Sequence, residues 1–175
     1  MQKLMFEFDF YIEHTLLGYW QQALTESDLS RIRNQFLAVA EKLAAYPHKV
    51  FTHRDYHSRN VMLATDSSTQ YIIDFQDARL GLVQYDLCSL LYDAYAQLES
   101  SMRSALVLFA YEAGREIHRQ THDEFMHYFY LSAYQRTIKA MGTFGYQASQ
   151  GRRDFAAYLE PAQAMVEEIV KVYSL

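Results

Sequence analysis

Asp55, Asn60 and Asp74 have the types and the spacing for moving a phosphoryl group. Asp55 and Asn60 belong to one run, His53-Arg54-Asp55-Tyr56-His57-Ser58-Arg59-Asn60, and Asp74 opens Asp74-Phe75-Gln76-Asp77 fourteen residues after Asn60. Phosphoryl transfer to a hydroxyl needs one carboxylate beside the attacking oxygen. It also needs oxygen ligands that hold metal ions against the phosphates. Asp55 can serve the hydroxyl, while Asn60 and Asp74 can serve the metal. A lone Asp or Asn is as easily a turn residue; the joint spacing is what argues for chemistry.

These residues need elements that bring them together. Val61-Met62-Leu63 and Tyr71-Ile72-Ile73 are short apolar runs separated by the polar residues 64–69. That pattern predicts a hairpin whose two ends carry Asn60 and Asp74 to one place. Val50-Phe51-Thr52 is an apolar lead into the run that holds Asp55. Downstream, Asp86 is placed to N-cap a helix over about 87–98.

The remainder of the chain reads as helix. Leu4, Phe8, Ile12 and Leu16 recur at helical spacing over residues 3–19, although Phe6, Phe8, Phe10 and Ile12 alternate as a strand would. Thr25 to Asp28 offer capping residues ahead of a stripe formed by Leu29, Ile32, Phe36, Val39 and Leu43, with Pro47 beyond its end. Further helices are predicted over 101–119, weakened by Gly114, and over 123–144. A last helical stretch follows Arg153 and breaks near Pro161, where the final helix begins. The expectation is one mainly α (α+β) domain over 1–175, with helices around a small β-hairpin.

Composition bounds the possibilities. With 50% hydrophobic and 21% charged residues the chain should fold, and 175 residues suffice for one core. Six glycines and two prolines argue against a loop-rich β architecture. A net charge of −5 gives no reason to invoke nucleic acid. The fifteen tyrosines read as core and surface residues. Cys88 stands alone, flanked by Leu87 and by Ser89-Leu90-Leu91, a buried thiol with a packing role, and its solitude fits a reducing cytoplasm. No signal peptide or membrane-length apolar run is visible, so a soluble cytoplasmic protein is expected.

H-R-D followed by four residues and N is the spacing of kinase catalytic loops, and D-F-Q-D stands where those enzymes carry D-F-G. HRDYHSRN, IIDFQDARLG and YDLCSLLYDAY together resemble the aminoglycoside phosphotransferase and choline kinase family of small-molecule kinases. Within it they are similar to the bacterial sugar kinases that phosphorylate N-acetylmuramate and N-acetylglucosamine at the anomeric hydroxyl. The stretch Tyr134 to Phe144, YQRTIKAMGTF, shares that likeness.

The resemblance implies the C-terminal catalytic lobe of a protein-kinase-like fold, using ATP and Mg²⁺. It implies Asp55 as catalytic base, and Asn60 and Asp74 as magnesium ligands that contact the nucleotide. His53 is implied as a scaffold residue and Asp86 as a brace for the loop. Asp77, Asp93 and Arg136, with Lys139 one helical step on, are the candidates for the acceptor side. The acceptor itself would be a sugar or an aminoglycoside, with an amino sugar favoured. About fifty residues precede the loop, with no G-x-G-x-x-G and no strand resembling V-A-I-K. The chain is therefore expected to be a lobe without its nucleotide lid, inactive or weakly active alone. The face bared by the absent lobe is expected to favour self-association, with Phe6 to Tyr11 a candidate for part of it.

Two rival readings stand beside this one. A metallohydrolase could use His53 and His57 around Asp55, or His118 and His122 four apart, but neither pair has a zinc signature. His118, His122 and His127 read more simply as polar helix-face residues. A binding module that kept the site's residues without turnover is the second alternative.

Overall fold

Phe8, fully buried, stacks on Phe36 with ring centroids 4.2 Å apart. Both belong to one of the two compact units into which the chain of this computed structural model divides. The structure describes residues 1–65 and 69–173. One unit comprises residues 1–46 and 134–175, the other residues 47–133.

In the first unit, helix α1 (Gln2–Tyr11) runs on into π-helical turns over Ile12–Tyr19. The helical reading of the N-terminus thus prevails over the alternating one. Burial of Phe8, Tyr11, Ile12 and Leu16 follows helical spacing and leaves Phe6 exposed. The π-helical turns pack against the later part of α6 (His122–Ser149). There Thr15 Oγ1 donates to the carbonyl of Met141 at 2.8 Å, and a Cβ on Gly145 would stand 2.9 Å from Thr15 Cα. Helix α2 (Glu26–Ala45) starts with a full capping box, Thr25 and Asp28 each satisfying the other's amide. The last helix, α7 (Leu159–Tyr173), follows a 3₁₀ turn at Arg153–Tyr158, with Pro161 in its first turn as expected.

The second unit carries the strands. β1 (Val50–Thr52) pairs antiparallel with β4 (Arg79–Gly81), and β2 (Val61–Leu63) with β3 (Gln70–Ile72). The hairpin is as expected; residues 66–68 of its loop lie outside the described residues. The apolar lead at residues 50–52 proves to be a strand, with a partner not foreseen. Thr52 Oγ1 donates to the carbonyl of Arg79 at 2.8 Å, and a Cβ on Gly81 would lie 2.6 Å from that hydroxyl, so the position needs glycine. Phe51 faces Leu80 across this pair, and each is 71% exposed. Met62, Leu63, Tyr71, Ile72, Ile73 and Phe75 are exposed as well.

Several helix boundaries differ from expectation. Helix α3 spans Gln84–Leu91 with Val83 before it, so Asp86 lies inside the first turn and caps nothing. It ends at Leu91 rather than near 98, because Asp93 draws the following backbone into a turn, Oδ1 accepting from Tyr95 N–H at 2.8 Å. The stretch after it breaks at Gly114 into α4 (Ser100–Ala113) and α5 (Arg115–His118). His118, read as a helix-face residue, is buried. Its Nε2 lies 2.9 Å from the carbonyl of Tyr111, and its Nδ1 accepts from Gln120 N–H at 3.1 Å, so both ring nitrogens are matched locally. Cys88 is fully buried as expected, its thiol donating to the carbonyl of Phe129. Among the described residues no helix is long and apolar enough to cross a membrane.

Candidate active site

The loop between β1 and β2 is bolted down by two carboxylates. Asp86 accepts the amide of His53 on Oδ2 at 2.6 Å and that of Arg54 on Oδ1 at 2.9 Å. Asp93 accepts the amide of Ser58 on Oδ2 at 2.8 Å, its other oxygen holding Tyr95. The first pair of bonds fixes the start of the loop and the second fixes its end. Arg54 sits at φ 73°, a left-handed conformation that costs any residue with a Cβ energy and persists only when its surroundings hold it. The Asp86 bond to its amide provides part of that hold.

His53 bonds backbone on both sides of its ring. It is buried, its Nε2 lies 2.9 Å from the carbonyl of Ile73, and its Nδ1 faces the amide of Asp55 at 3.3 Å. A carbonyl can only accept and an amide can only donate, so the ring is neutral with its proton on Nε2. One imidazole thereby joins Asp55 to the strand end that leads into Asp74. With both nitrogens engaged it has no lone pair for a metal, which removes His53 from the metallohydrolase reading.

Asp55 and Asn60 are joined directly. The Asn60 side-chain amide donates to the Asp55 carbonyl at 2.9 Å, which turns Oδ1 into the group's remaining donor for a cation. The Asn60 carbonyl accepts from Ile73 N–H at 3.0 Å, continuing the β2–β3 ladder by one step. Asp74 is therefore the next residue beyond a hydrogen bond to Asn60, as the hairpin pattern predicts. Its φ of 69° is left-handed, a conformation that a short polar side chain tolerates, and its carboxylate accepts from Gln76 Nε2. Asp74 and Asp77 are exposed.

The amide oxygen of Asn60 and the carboxylate of Asp74 would make a sparse donor set. Among the described residues no group of three or more His, Cys, Asp or Glu could hold a metal ion. Such a set fits magnesium, which keeps several waters and takes further oxygens from phosphates rather than from a protein cage. It does not fit zinc.

The acceptor candidates divide. Asp77 is exposed near Asp74 in sequence and its backbone carbonyl accepts from Arg79 Nε. Asp93, expected at the acceptor, is only 5% exposed with an amide on each oxygen, and the geometry gives it the same bracing work as Asp86. Arg136 is buried on the part of α6 that belongs to the other unit. His57 was weighed from the sequence only as a metal ligand; the structure sets its Nε2 3.5 Å from Asp55 Oδ2.

The model of the phosphotransferase enzyme family matches residues 2–124, a span containing every site residue above except Arg136. The chain is 33% identical over 144 residues to an N-acetylmuramate/N-acetylglucosamine kinase of Neisseria meningitidis, covering 76% of this chain and 42% of that protein. It is 31% identical over 139 residues to the protein of the same name in Pseudomonas aeruginosa, covering 73% of this chain and 40% of that one. The chain thus spans about two fifths of the length of the curated relatives it matches. A mainly helical chain with Asn60 and Asp74 just outside the two ends of one hairpin, matched over most of its length by that model, belongs to the phosphotransferase enzyme family.

Proposed function

We propose that this chain carries the catalytic lobe of a small-molecule kinase that transfers a phosphoryl group from ATP to a hydroxyl of an N-acetylated amino sugar. What carries the reading is the pair of hydrogen bonds Asn60 Nδ2 to Asp55 O and Ile73 N to Asn60 O, which tie the base, one metal ligand and the neighbour of the other into one unit. The names of the relatives support the acceptor class.

Asp55 receives the proton of the acceptor hydroxyl as the oxygen attacks the γ-phosphorus. Asn60 Oδ1 and the Asp74 carboxylate would hold magnesium, which supplies neutralisation of charge on the phosphates. Asp86, Asp93 and His53 keep the loop in register, so that positioning is settled before substrates arrive. Asp77 remains the candidate of this unit for the acceptor side.

A substrate panel with ATP and magnesium tests this. Transfer to N-acetylglucosamine or N-acetylmuramate faster than to kanamycin-type acceptors is expected. The reverse order would overturn the acceptor class, and magnesium-dependent nucleotide binding without any transfer, even with a competent nucleotide lobe supplied, would favour a binding module.

A further inference from the structure

His57 has a geometry that the reaction above leaves unused. Its side chain is only 15% exposed, and its Nε2 stands 3.5 Å from Asp55 Oδ2. Its Nδ1 is buried with no hydrogen-bond partner among the described residues. The ring meets the Tyr95 ring edge-on, centroids 5.4 Å apart. Tyr95 is itself held, its amide by Asp93 and its ring by the Arg59 guanidinium 3.7 Å away. The imidazole is thus wedged between a fixed aromatic ring and the carboxylate expected to act as base.

The carboxylate decides which ring nitrogen carries hydrogen. With the proton on Nδ1, the Nε2 lone pair would point at an anionic oxygen. With the proton on Nε2, a donor faces an acceptor, and the cost is an unmatched lone pair on Nδ1, the weaker penalty beside a charge. Backbone bonds hold the ring's own position: His57 N–H donates to the Asp55 carbonyl at 3.1 Å, and the His57 carbonyl accepts from Asn60 N–H at 2.9 Å.

We infer that His57 is a positioning residue for the base: its Nε2–H engages Asp55 Oδ2 and fixes which way the carboxylate meets the acceptor hydroxyl. The inference rests on the phosphotransfer reading for its kinetic consequence, although the contact itself does not. His53 then holds the backbone of Asp55 while His57 holds its side chain. In the transfer step the acceptor's proton passes to Asp55, and His57 keeps its own. The 3.5 Å separation is long for a hydrogen bond, as such contacts often are before substrate binds.

Two measurements test it. Long-range ¹H–¹⁵N spectra of the unmodified protein read the His57 ring directly; a hydrogen on Nε2 is expected, and Nε2 without one overturns the inference. Kinetics then compare His57→Ala with His57→Gln, whose amide can return a donor near the Nε2 position. His57→Ala should lower kcat by roughly 10- to 100-fold, the scale of a misplaced reacting group, with KM for ATP nearly unchanged. His57→Gln should recover most of that loss. An unchanged kcat in His57→Ala, or equal loss in both variants, would overturn it. Should His57→Ala fail to fold, His57→Gln with near-parent kcat and the ring spectra still decide. The kinetics are read in a full-length protein that carries this lobe; absence of transfer there would sink the proposed function instead, leaving the ring spectra to judge the contact.

Discussion

Carboxylates that look alike in the sequence do different work because their partners differ. Asp86 and Asp93 each accept two backbone amides, while Asp55 stays 40% exposed at the side chain. Hydrogen bonds to a charged acceptor contribute about 1.5–3 kcal/mol each when a partner is lost. Asp93→Ala, which removes two such bonds, is expected to lower unfolding free energy by about 3 kcal/mol or more on that scale, read from denaturant midpoints, and to slow turnover by loosening the loop. An unchanged midpoint would mean that water replaces the carboxylate without cost. Two tyrosines in the other unit give a pH dependence. Burial pushes the Tyr134 hydroxyl up to about 12 from its ordinary 10.0, and burial together with the charge of Tyr134 pushes Tyr11 up as well. The folded state holds these protons longer than the unfolded chain does. Stability is therefore fully kept below pH 10.0 and falls as pH rises toward about 12. Tyr134→Phe should make that alkaline decline shallower in thermal melts taken across the range, and an identical decline would count against the burial account.

At the scale of elements, much was legible where the signal was local. The capping box at Thr25 and Asp28, the apolar runs of β2 and β3, and Pro161 in the first turn of α7 depend on neighbours a few residues away. What was not legible depends on distant partners. Asp86 has the type of an N-cap, but its carboxylate is taken by amides more than thirty residues earlier. β4 is three residues, Arg79–Gly81, with no apolar pattern of its own, and only β1 defines it. His57 carried no signal beyond its type, since its meaning comes from Tyr95 and the orientation of Asp55. Close helix approach is equally invisible in the sequence. Gly→Ala in a helix ordinarily stabilises by about 1 kcal/mol, whereas overpacking costs about 1–3. At Gly145 a Cβ would stand 2.9 Å from the backbone Cα of Thr15, which cannot swing away as a side-chain tip can. Gly145→Ala is therefore expected to lower the melting temperature, and a rise would show that the helices can part cheaply.

At the scale of the whole molecule, the family and the mainly helical class were readable because the catalytic run and the hairpin are contiguous in sequence. The division into two units was not, since α6 supplies residues to both without any break in pattern. The sparse oxygen set has a consequence at this scale. A metal held by Asn60, Asp74 and the phosphates of the nucleotide should bind weakly by itself and together with ATP. Chelation is then expected to abolish transfer reversibly while leaving the melting temperature of the nucleotide-free protein within a degree or so. A large drop in that temperature would instead indicate a structural metal. Asp74→Ala should weaken magnesium-dependent ATP binding as well as rate, which titration calorimetry with and without magnesium separates.

The central claim is that Asp55 takes the acceptor's proton, and one comparison tests it most directly: initial rates of phosphoryl transfer from ATP to N-acetylglucosamine by a full-length protein that carries this lobe and by its Asp55→Asn variant. The substitution keeps the side chain's size and the backbone carbonyl that receives Asn60, so circular dichroism and the melting temperature should match the parent. The account predicts that turnover falls by roughly 10²- to 10⁴-fold, the usual contribution of a positioned acid–base group. Turnover near that of the parent in a folded Asp55→Asn protein would contradict it.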